Sequence, residues 1–347
     1  VRRNLEAEIR KALSQKGITE LSWPLKGIIS LPQSLLNSPV LSSLTSVSLI
    51  NNHITTLPIA LFDKCPNLID LDLSGNAIAS ISWEHLQALK KIRLKTLNLS
   101  SNGLRFLPSS LDPMVGITTL KLGKNKLERI PNLEILSDSL NVLDLSENRL
   151  VEVEGLGSLS HLQDLDLHSN KITELDGIGK LRELTALKLS SNLLTTIPDG
   201  IRNLDFLDSF DVSDNAIENF DELWSRKELT LLRLNNTGLS TFPTSLSLEL
   251  AHSLAVVSLQ YNKLTVFPLG LLACVNLMVL FLNNNHLESI PFEICRLVSL
   301  KRLAISHNRL SSITSGIAKL PHLEFLEMHN NKIETIPISF AALKLKK

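Results

Sequence analysis

The sequence predicts an α/β solenoid in which short strands and short helical return segments alternate along the chain. Three observations support this prediction. A template with leucines at fixed spacings recurs over nearly all of the 347 residues. Its central leucines alternate with variable residues, which is typical of a strand with one buried face. A proline then ends the extended run, and apolar residues three apart follow it, as one or two turns of α- or 3₁₀-helix require.

The repeat follows the template L-x-x-L-x-L-x-x-N-x-L-x-x-I-P. Four segments show it most clearly: residues 44–58, 184–198, 277–291 and 323–337 read LTSVSLINNHITTLP, LTALKLSSNLLTTIP, LMVLFLNNNHLESIP and LEFLEMHNNKIETIP. Thirteen copies follow one another at spacings of 22 to 26 residues. Twelve of them carry the asparagine, at Asn52, Asn76, Asn102, Asn125, Asn148, Asn170, Asn192, Asn215, Asn262, Asn285, Asn308 and Asn331.

Two units depart from the template at the asparagine position. Thr237 occupies it in the ninth copy, and Lys26 occupies it in a degenerate unit that precedes the first copy. An asparagine amide offers an acceptor and two donors to the backbone of its turn, whereas threonine offers a single hydroxyl. We therefore expect the turn at Thr237 to be less fully hydrogen-bonded than its neighbours.

A single copy cannot bury its own leucines, so stacked copies must bury them as one column. This reasoning assigns residues 18–337 to one repeat domain. Residues 1–17 predict a capping helix, with Asn4 as its N-cap and Gly17 as its end. Residues 338–347 begin a further repeat or form a C-terminal tail.

The template resembles that of the leucine-rich-repeat family over about residues 18–337. The resemblance implies a horseshoe with a concave parallel sheet and short helices or 3₁₀ turns on the convex side. Copies such as residues 148–170 resemble the intracellular type found in phosphatase regulators. Those with Leu-Pro resemble repeats of Ras-pathway scaffolds and Roco GTPases. The resemblance implies a protein-binding module or scaffold.

The charge and the apolar runs bound the kind of partner. The 35 basic and 35 acidic residues cancel, which argues against a general nucleic-acid or anionic-membrane binder. The longest uncharged run, between Lys263 and Glu288, is interrupted by Pro268 and Gly270 and predicts no membrane span. We expect a monomer that binds protein.

The three cysteines, Cys65, Cys274 and Cys295, have no metal-ligand spacing and form no end cluster of the kind that closes secreted repeat domains. No leader peptide is visible after Val1. Both observations favour a reducing, cytoplasmic setting, with a role in signalling or assembly.

No catalytic, phosphate-binding or metal-binding motif is found, so we expect neither an enzyme nor a cofactor. His286, His307 and His329 lie at the ends of successive strands, where a pair could meet, but variable surface positions explain them as well. The same holds for the carboxylates predicted on the concave face, Asp70, Asp72, Asp144, Asp164, Asp166 and Asp211.

The variable positions between the template leucines carry the information about a partner. In the first half of the chain they are small, polar or acidic, whereas in copies nine to thirteen they become apolar, aromatic or arginine. Residues 278–282 are apolar on both faces, which needs an explanation in a strand with one solvated face. We therefore predict a partner site centred on an exposed Phe281 and formed by Arg233, Val256, Tyr261, Val279, Phe281, Arg302, Phe325 and Glu327.

Two alternatives to an intracellular module remain open. The chain could be an extracellular or receptor-type recognition domain, although its glycosylation triplets at Asn98 and Asn235 begin at predicted concave strand positions. It could also be the recognition part of a larger enzyme whose catalytic domain lies outside these residues.

Overall fold

The computed structural model describes residues 17–224 and 226–346, which divide into two compact units. The first unit ends at Lys171 and the second begins at Ile172. The predicted capping helix lies outside the described residues except for Gly17. One structural motif recurs in each unit: a three-residue strand, a tight turn and a return segment.

The first unit contains seven strands, and each pairs in parallel with its neighbours in the unit. The central residue of every strand is buried and its flanking residues are more exposed. This is the pattern that the period-two alternation predicts. The strands are β1 (Glu20–Ser22), β2 (Ser46–Ser48), β3 (Asp70–Asp72), β4 (Thr96–Asn98), β5 (Thr119–Lys121), β6 (Val142–Asp144) and β7 (Asp164–Asp166).

The second unit contains seven further strands with the same parallel pairing between neighbours. They are β8 (Ala186–Lys188), β9 (Ser209–Asp211), β10 (Leu231–Arg233), β11 (Val256–Ser258), β12 (Val279–Phe281), β13 (Arg302–Ala304) and β14 (Phe325–Glu327).

The helical elements of the return segments are short, with three to seven residues each. Five are α-helical: α1 (Gln33–Leu36), α2 (Ile59–Phe62), α3 (Trp83–Leu89), α4 (Asp221–Trp224) and α5 (Leu248–Ser253). The 3₁₀ turns are Pro39–Ser43, Asp112–Met114, Glu134–Leu136 and Leu156–Ser158 in the first unit, and Ile178–Lys180, Ile201–Asn203, Leu269–Ala273, Phe292–Arg296, Ile317–Lys319 and Ile338–Ala342 in the second.

The template leucines form the core of each unit. Leu167, Leu189 and Leu282 are all fully buried, as the template predicts. Because the buried positions follow the template from copy to copy, the predicted fold class, a solenoid of strands and short helical returns, is confirmed.

The twelve template asparagines form what we call the asparagine ladder, which ties each turn to the turn before it. Asn148 shows the pattern. Its Nδ2 donates to the carbonyls of Leu145 in its own repeat and Leu122 in the preceding one, both at 3.0 Å. Its Oδ1 accepts the N–H of Leu127, also in the preceding repeat, at 2.9 Å. Most ladder side chains are buried, so these bonds form out of water.

Thr237 interrupts the ladder. Its Oγ1 donates to the Leu234 carbonyl of its own turn at 3.0 Å. The N–H of Ile217 stands where a ladder side chain would accept it, yet it has no hydrogen-bond partner among residues 17–224 and 226–346. The expectation that this turn is less fully hydrogen-bonded is confirmed, and the deficit falls on its contact with the preceding repeat.

We expect Asn170→Ala to lower the free energy of unfolding by about 1–3 kcal/mol, because buried backbone groups lose their partners. Asn170 bonds to the Leu145 and Leu167 carbonyls and to the Leu150 N–H. Urea denaturation followed by circular dichroism measures the change. A variant as stable as the parent would show that water replaces the amide without loss.

The Gly238 N–H, like that of Ile217, has no hydrogen-bond partner among the described residues. Hydrogen exchange should be faster at these two amides than at those of Ile172 and Leu194, which donate to ladder asparagines at 3.0 Å. An unbonded N–H exchanges without first breaking a hydrogen bond. Amide-resolved exchange by NMR measures the difference. Equal protection at the four amides would contradict an open junction at Thr237.

Candidate protein-interaction surface

The predicted site residues come together on one face of the second unit. Strands β10 to β14 place their first residues in one column, Leu231, Val256, Val279, Arg302 and Phe325, and their third residues in another, Arg233, Ser258, Phe281, Ala304 and Glu327. We call this face of β10–β14 the sheet surface. Seven of the eight predicted residues lie in these two columns, and Tyr261 does not.

Arg302 organises the sheet surface. Its guanidinium carbon lies 5.3 Å from the ring centre of Phe281 and 5.7 Å from that of Phe325. Its Nη2 donates to Oε1 of Glu327 at 2.5 Å. The cation therefore contacts two aromatic rings and one carboxylate while its side chain stays 44% exposed.

Phe281 is half-buried, whereas the sequence predicted an exposed ring. The difference has a physical cause in an arginine on the neighbouring strand, which register places diagonally from Phe281. Val279 pairs with Arg302 on the next strand, and the long arginine side chain lies across the Phe281 ring. Phe325, at the end of the sheet, is the more exposed of the two rings, and Lys346 lies 5.9 Å from its centre.

Tyr261 and Arg233 lie at the margins of the sheet surface. Tyr261 is 60% exposed and occupies the turn after β11, where its backbone is left-handed with φ of 58°. It therefore projects from the strand-end edge rather than from a column. Arg233 has Asp211 on the neighbouring strand, with Nη1 and Oδ2 3.9 Å apart.

The carboxylates of the first unit's sheet serve its turns. Oδ1 of Asp72 accepts both the N–H and the hydroxyl of Ser74, at 2.8 and 2.6 Å. Asp144 makes the same two bonds to Ser146, at 3.0 and 2.6 Å. Each aspartate thus holds the start of the turn that follows its strand, which accounts for these carboxylates without a ligand.

Two histidines meet near the end of the second unit, and two of the cysteines are buried. His307 and His329 do meet, with ring centres 5.2 Å apart, but the described residues contain no set of three or more potential ligands that could hold a metal ion. Burial raises the pKa of the Cys65 thiol to about 11 and that of Cys274 to about 12. Both thiols are therefore protonated at neutral pH and are poor nucleophiles.

Sequence analysis missed Arg226, which is 2% exposed. It fills the apolar template position that Leu181 occupies in an earlier repeat. A charged residue at this otherwise apolar position was the sign in the sequence that could have identified it. Burial lowers the pKa of its guanidinium, and the charges of Asp205 and Glu228 oppose that shift. The guanidinium donates, at 2.7 to 3.0 Å, to the carbonyls of Ile201, Leu204, Leu207 and Glu228.

A cleft beside Thr237 was also missed. It has a volume of about 680 Å³ and lies between residues 216–221 and residues 237–241. The sequence indicated the irregular turn but not this space, because the opening depends on backbone bonds that are absent on both sides.

Among the described residues, no helix has both the length and the apolar character needed to cross a bilayer.

Comparisons with known proteins agree with this architecture. The family model for the leucine-rich repeat matches residues 42–94, 160–217 and 252–310, a two-copy model matches residues 138–180 and 298–341, and a single-repeat model matches residues 93–114. A leucine-rich-repeat protein of Leptospira interrogans has a similar structure, with a TM-score of 0.86 and 29% identity. The alignment covers 96% of this chain and 90% of that one.

Two relatives match over shorter stretches. Human leucine-rich repeats and immunoglobulin-like domains protein 3 is 31% identical over 140 residues, which are 33% of this chain and 12% of that protein. The protein phosphatase 1 regulatory inhibitor subunit PPP1R7 homolog of Arabidopsis thaliana is 32% identical over 97 residues, 27% of this chain and 29% of that protein. The match thus spans less than a third of either relative. By its repeats, its structure and these matches, the chain belongs to the leucine-rich-repeat family.

Proposed function

We propose that the chain is a non-catalytic interaction module that binds a protein partner through the sheet surface, in intracellular signalling or assembly. The observation that carries the proposal is the cluster of Arg302 with Phe281, Phe325 and Glu327 on an open sheet face. Arginine and aromatic side chains are enriched at the centres of protein interfaces.

The cluster suits binding because its parts are held in place before a partner arrives. An exposed ion pair such as Arg302–Glu327 stabilises the fold by at most about 1 kcal/mol, and an exposed cation–π contact contributes about 0.5–1 kcal/mol. Their joint effect is to restrict the arginine rotamers, which lowers the entropy lost on association. Covering the cluster removes water and strengthens the cation–π contacts to about 2 kcal/mol or more.

The apolar neighbours extend the cluster into a patch. Val256 and Val279 are paired on adjacent strands beside Arg302 and are only partly buried. Met278, just before β12, is 38% exposed. A partner that covers the patch gains apolar burial beside an arginine, and arginine, methionine and aromatic residues are the ones enriched in interface cores.

The proposal of an intracellular setting rests on the similarity to the plant phosphatase regulatory subunit homolog. A second candidate is a recognition domain within a larger extracellular protein. The specific observation for it is the similarity to the human protein whose name includes immunoglobulin-like domains. A larger enzyme with a separate catalytic domain remains the third reading.

Phe281→Ala should weaken binding of a protein partner by about 2 kcal/mol or more, roughly thirtyfold in Kd. The partner is first captured from cell lysate with the parent chain, and its affinity is then measured by titration calorimetry. Phe292→Ala is the matched control. Its ring also contacts a cation, with Lys319 4.7 Å from the ring centre, but it belongs to a return segment and lies outside the sheet surface. The control should bind normally.

Arg302→Lys separates binding from folding, because it retains the charge and alters no buried side chain. It should weaken binding measurably, since lysine lacks the planar group that stacks between two rings. Asp70→Ala, on the first unit's sheet, should have little effect. Normal affinity of both Phe281→Ala and Arg302→Lys, with melting temperatures near that of the parent, would refute the proposed site.

A further inference from the structure

The junction between the eighth and ninth copies keeps the turn bond from the Asp214 N–H to the Asn235 carbonyl, at 2.8 Å, but within the described residues it lacks the bonds that reach Ile217. At the next junction, the Leu239 N–H donates to Oδ1 of Asn262 at 3.0 Å, and the Lys263 N–H donates to the Leu239 carbonyl at 2.8 Å. Ile217 is the equivalent of Leu239 one repeat earlier. Within the described part of the chain, neither its N–H nor its carbonyl has a hydrogen-bond partner, and the Gly238 N–H has none.

These free groups lie at the wall of the cleft. Ile217, Thr237 and Gly238 all line it. In an extended backbone, the N–H and the carbonyl of one residue point to the same side, and in every closed junction that side faces the following repeat. Ile217 therefore presents a donor and an acceptor together to the cleft, as an unpaired strand edge does.

The eighth copy is held firmly on its other side. The Glu218 N–H donates to the Thr195 carbonyl at 2.7 Å, and the Ile197 N–H donates to the Asn219 carbonyl at 3.3 Å. Arg226 adds its bonds to the preceding return segment. These bonds hold the eighth copy to the seventh, although the backbone bond between the Ala216 N–H and the Leu194 carbonyl is also absent among the described residues.

An aromatic contact lies beside the cleft. The rings of Trp224 and Phe242 lie 4.8 Å apart at an angle of 60° and connect the eighth copy to the ninth. Trp224 also lines the cleft, together with the polar side chains of Asn219, Ser240 and Thr241. The space has the volume of a ligand site and a wall that combines unpaired backbone groups with an aromatic ring.

We propose that this cleft binds an extended peptide segment of a partner that presents an asparagine side chain. The amide oxygen would accept the Ile217 N–H, which is the bond that a ladder asparagine makes in other copies. The peptide backbone would pair with the Ile217 carbonyl and the Gly238 N–H, as in strand addition. The site does not depend on the sheet surface and stands if that proposal fails.

The test uses the whole chain and a capped hexapeptide, acetyl-Leu-Ser-Ser-Asn-Leu-Leu-amide, which copies residues 189–194. The matched probe has threonine in place of the asparagine. In the ¹⁵N-labelled protein, the amide NMR signals of Ile217 and Gly238 should shift as the first probe is added and should reach saturation. The affinity for the second probe, obtained from the same titration, should be at least tenfold weaker.

Thr237→Asn supplies the missing ladder side chain from within the chain. It should raise the Tm by about 2 °C or more through the restored bonds. It should also weaken peptide binding at least tenfold, because its side chain occupies the position that the peptide asparagine would take. Thr237→Val is the control, because it removes the hydroxyl but leaves the Ile217 groups open, so it should lower the Tm and retain the peptide. The inference is overturned by the absence of saturable shifts in the parent, by equal affinity of the parent and Thr237→Asn, or by a Thr237→Asn chain whose Tm does not rise.

Discussion

One side chain per repeat, the template asparagine, connects the parts of each unit. Leucine burial favours stacking, but it is non-directional and does not fix how one repeat sits on the next. The asparagine amide adds that direction, because it bonds to backbone groups of two successive turns at once. It also satisfies polar groups that the leucine column would otherwise leave buried without partners. The regular strand register follows from both effects.

The same division explains what could be predicted from the sequence. Residues at template positions act through contacts that every copy repeats, so the strands, the buried leucines and the deficit at Thr237 were predictable. The half-burial of Phe281 was not, because it depends on which way one arginine on the neighbouring strand lies. The cleft was not predictable either, since it arises from bonds missing in two turns together. The sequence shows Arg226 as a charged residue at an apolar position, but only the structure identifies its four carbonyl partners.

The two candidate sites differ in which part of the repeat would contact a partner, the variable side chains in one and the backbone in the other. On the sheet surface, the fold supplies a flat array of positions and the variable side chains supply the chemistry. At the cleft the order is reversed, because the side chains are ordinary and the proposed binding depends on unpaired backbone groups. The first kind of site can change by substitution without affecting the core. The second exists only because one copy lacks its structural residue, so its specificity and its stability are coupled.

The gap at Thr237 also has a mechanical consequence. In a linear stack, stability is close to a sum of contributions from each repeat and each interface between neighbours. A pulling force along such a stack is transmitted through every interface in turn, so the interface with the fewest cross-links yields first. Here that interface keeps its strand pairing, the bond from the Asp214 N–H to the Asn235 carbonyl and the Trp224–Phe242 contact, but it lacks the ladder bonds at Ile217. Rupture under tension would therefore begin between Ile217 and Gly238, and the second unit would part there into two shorter stacks.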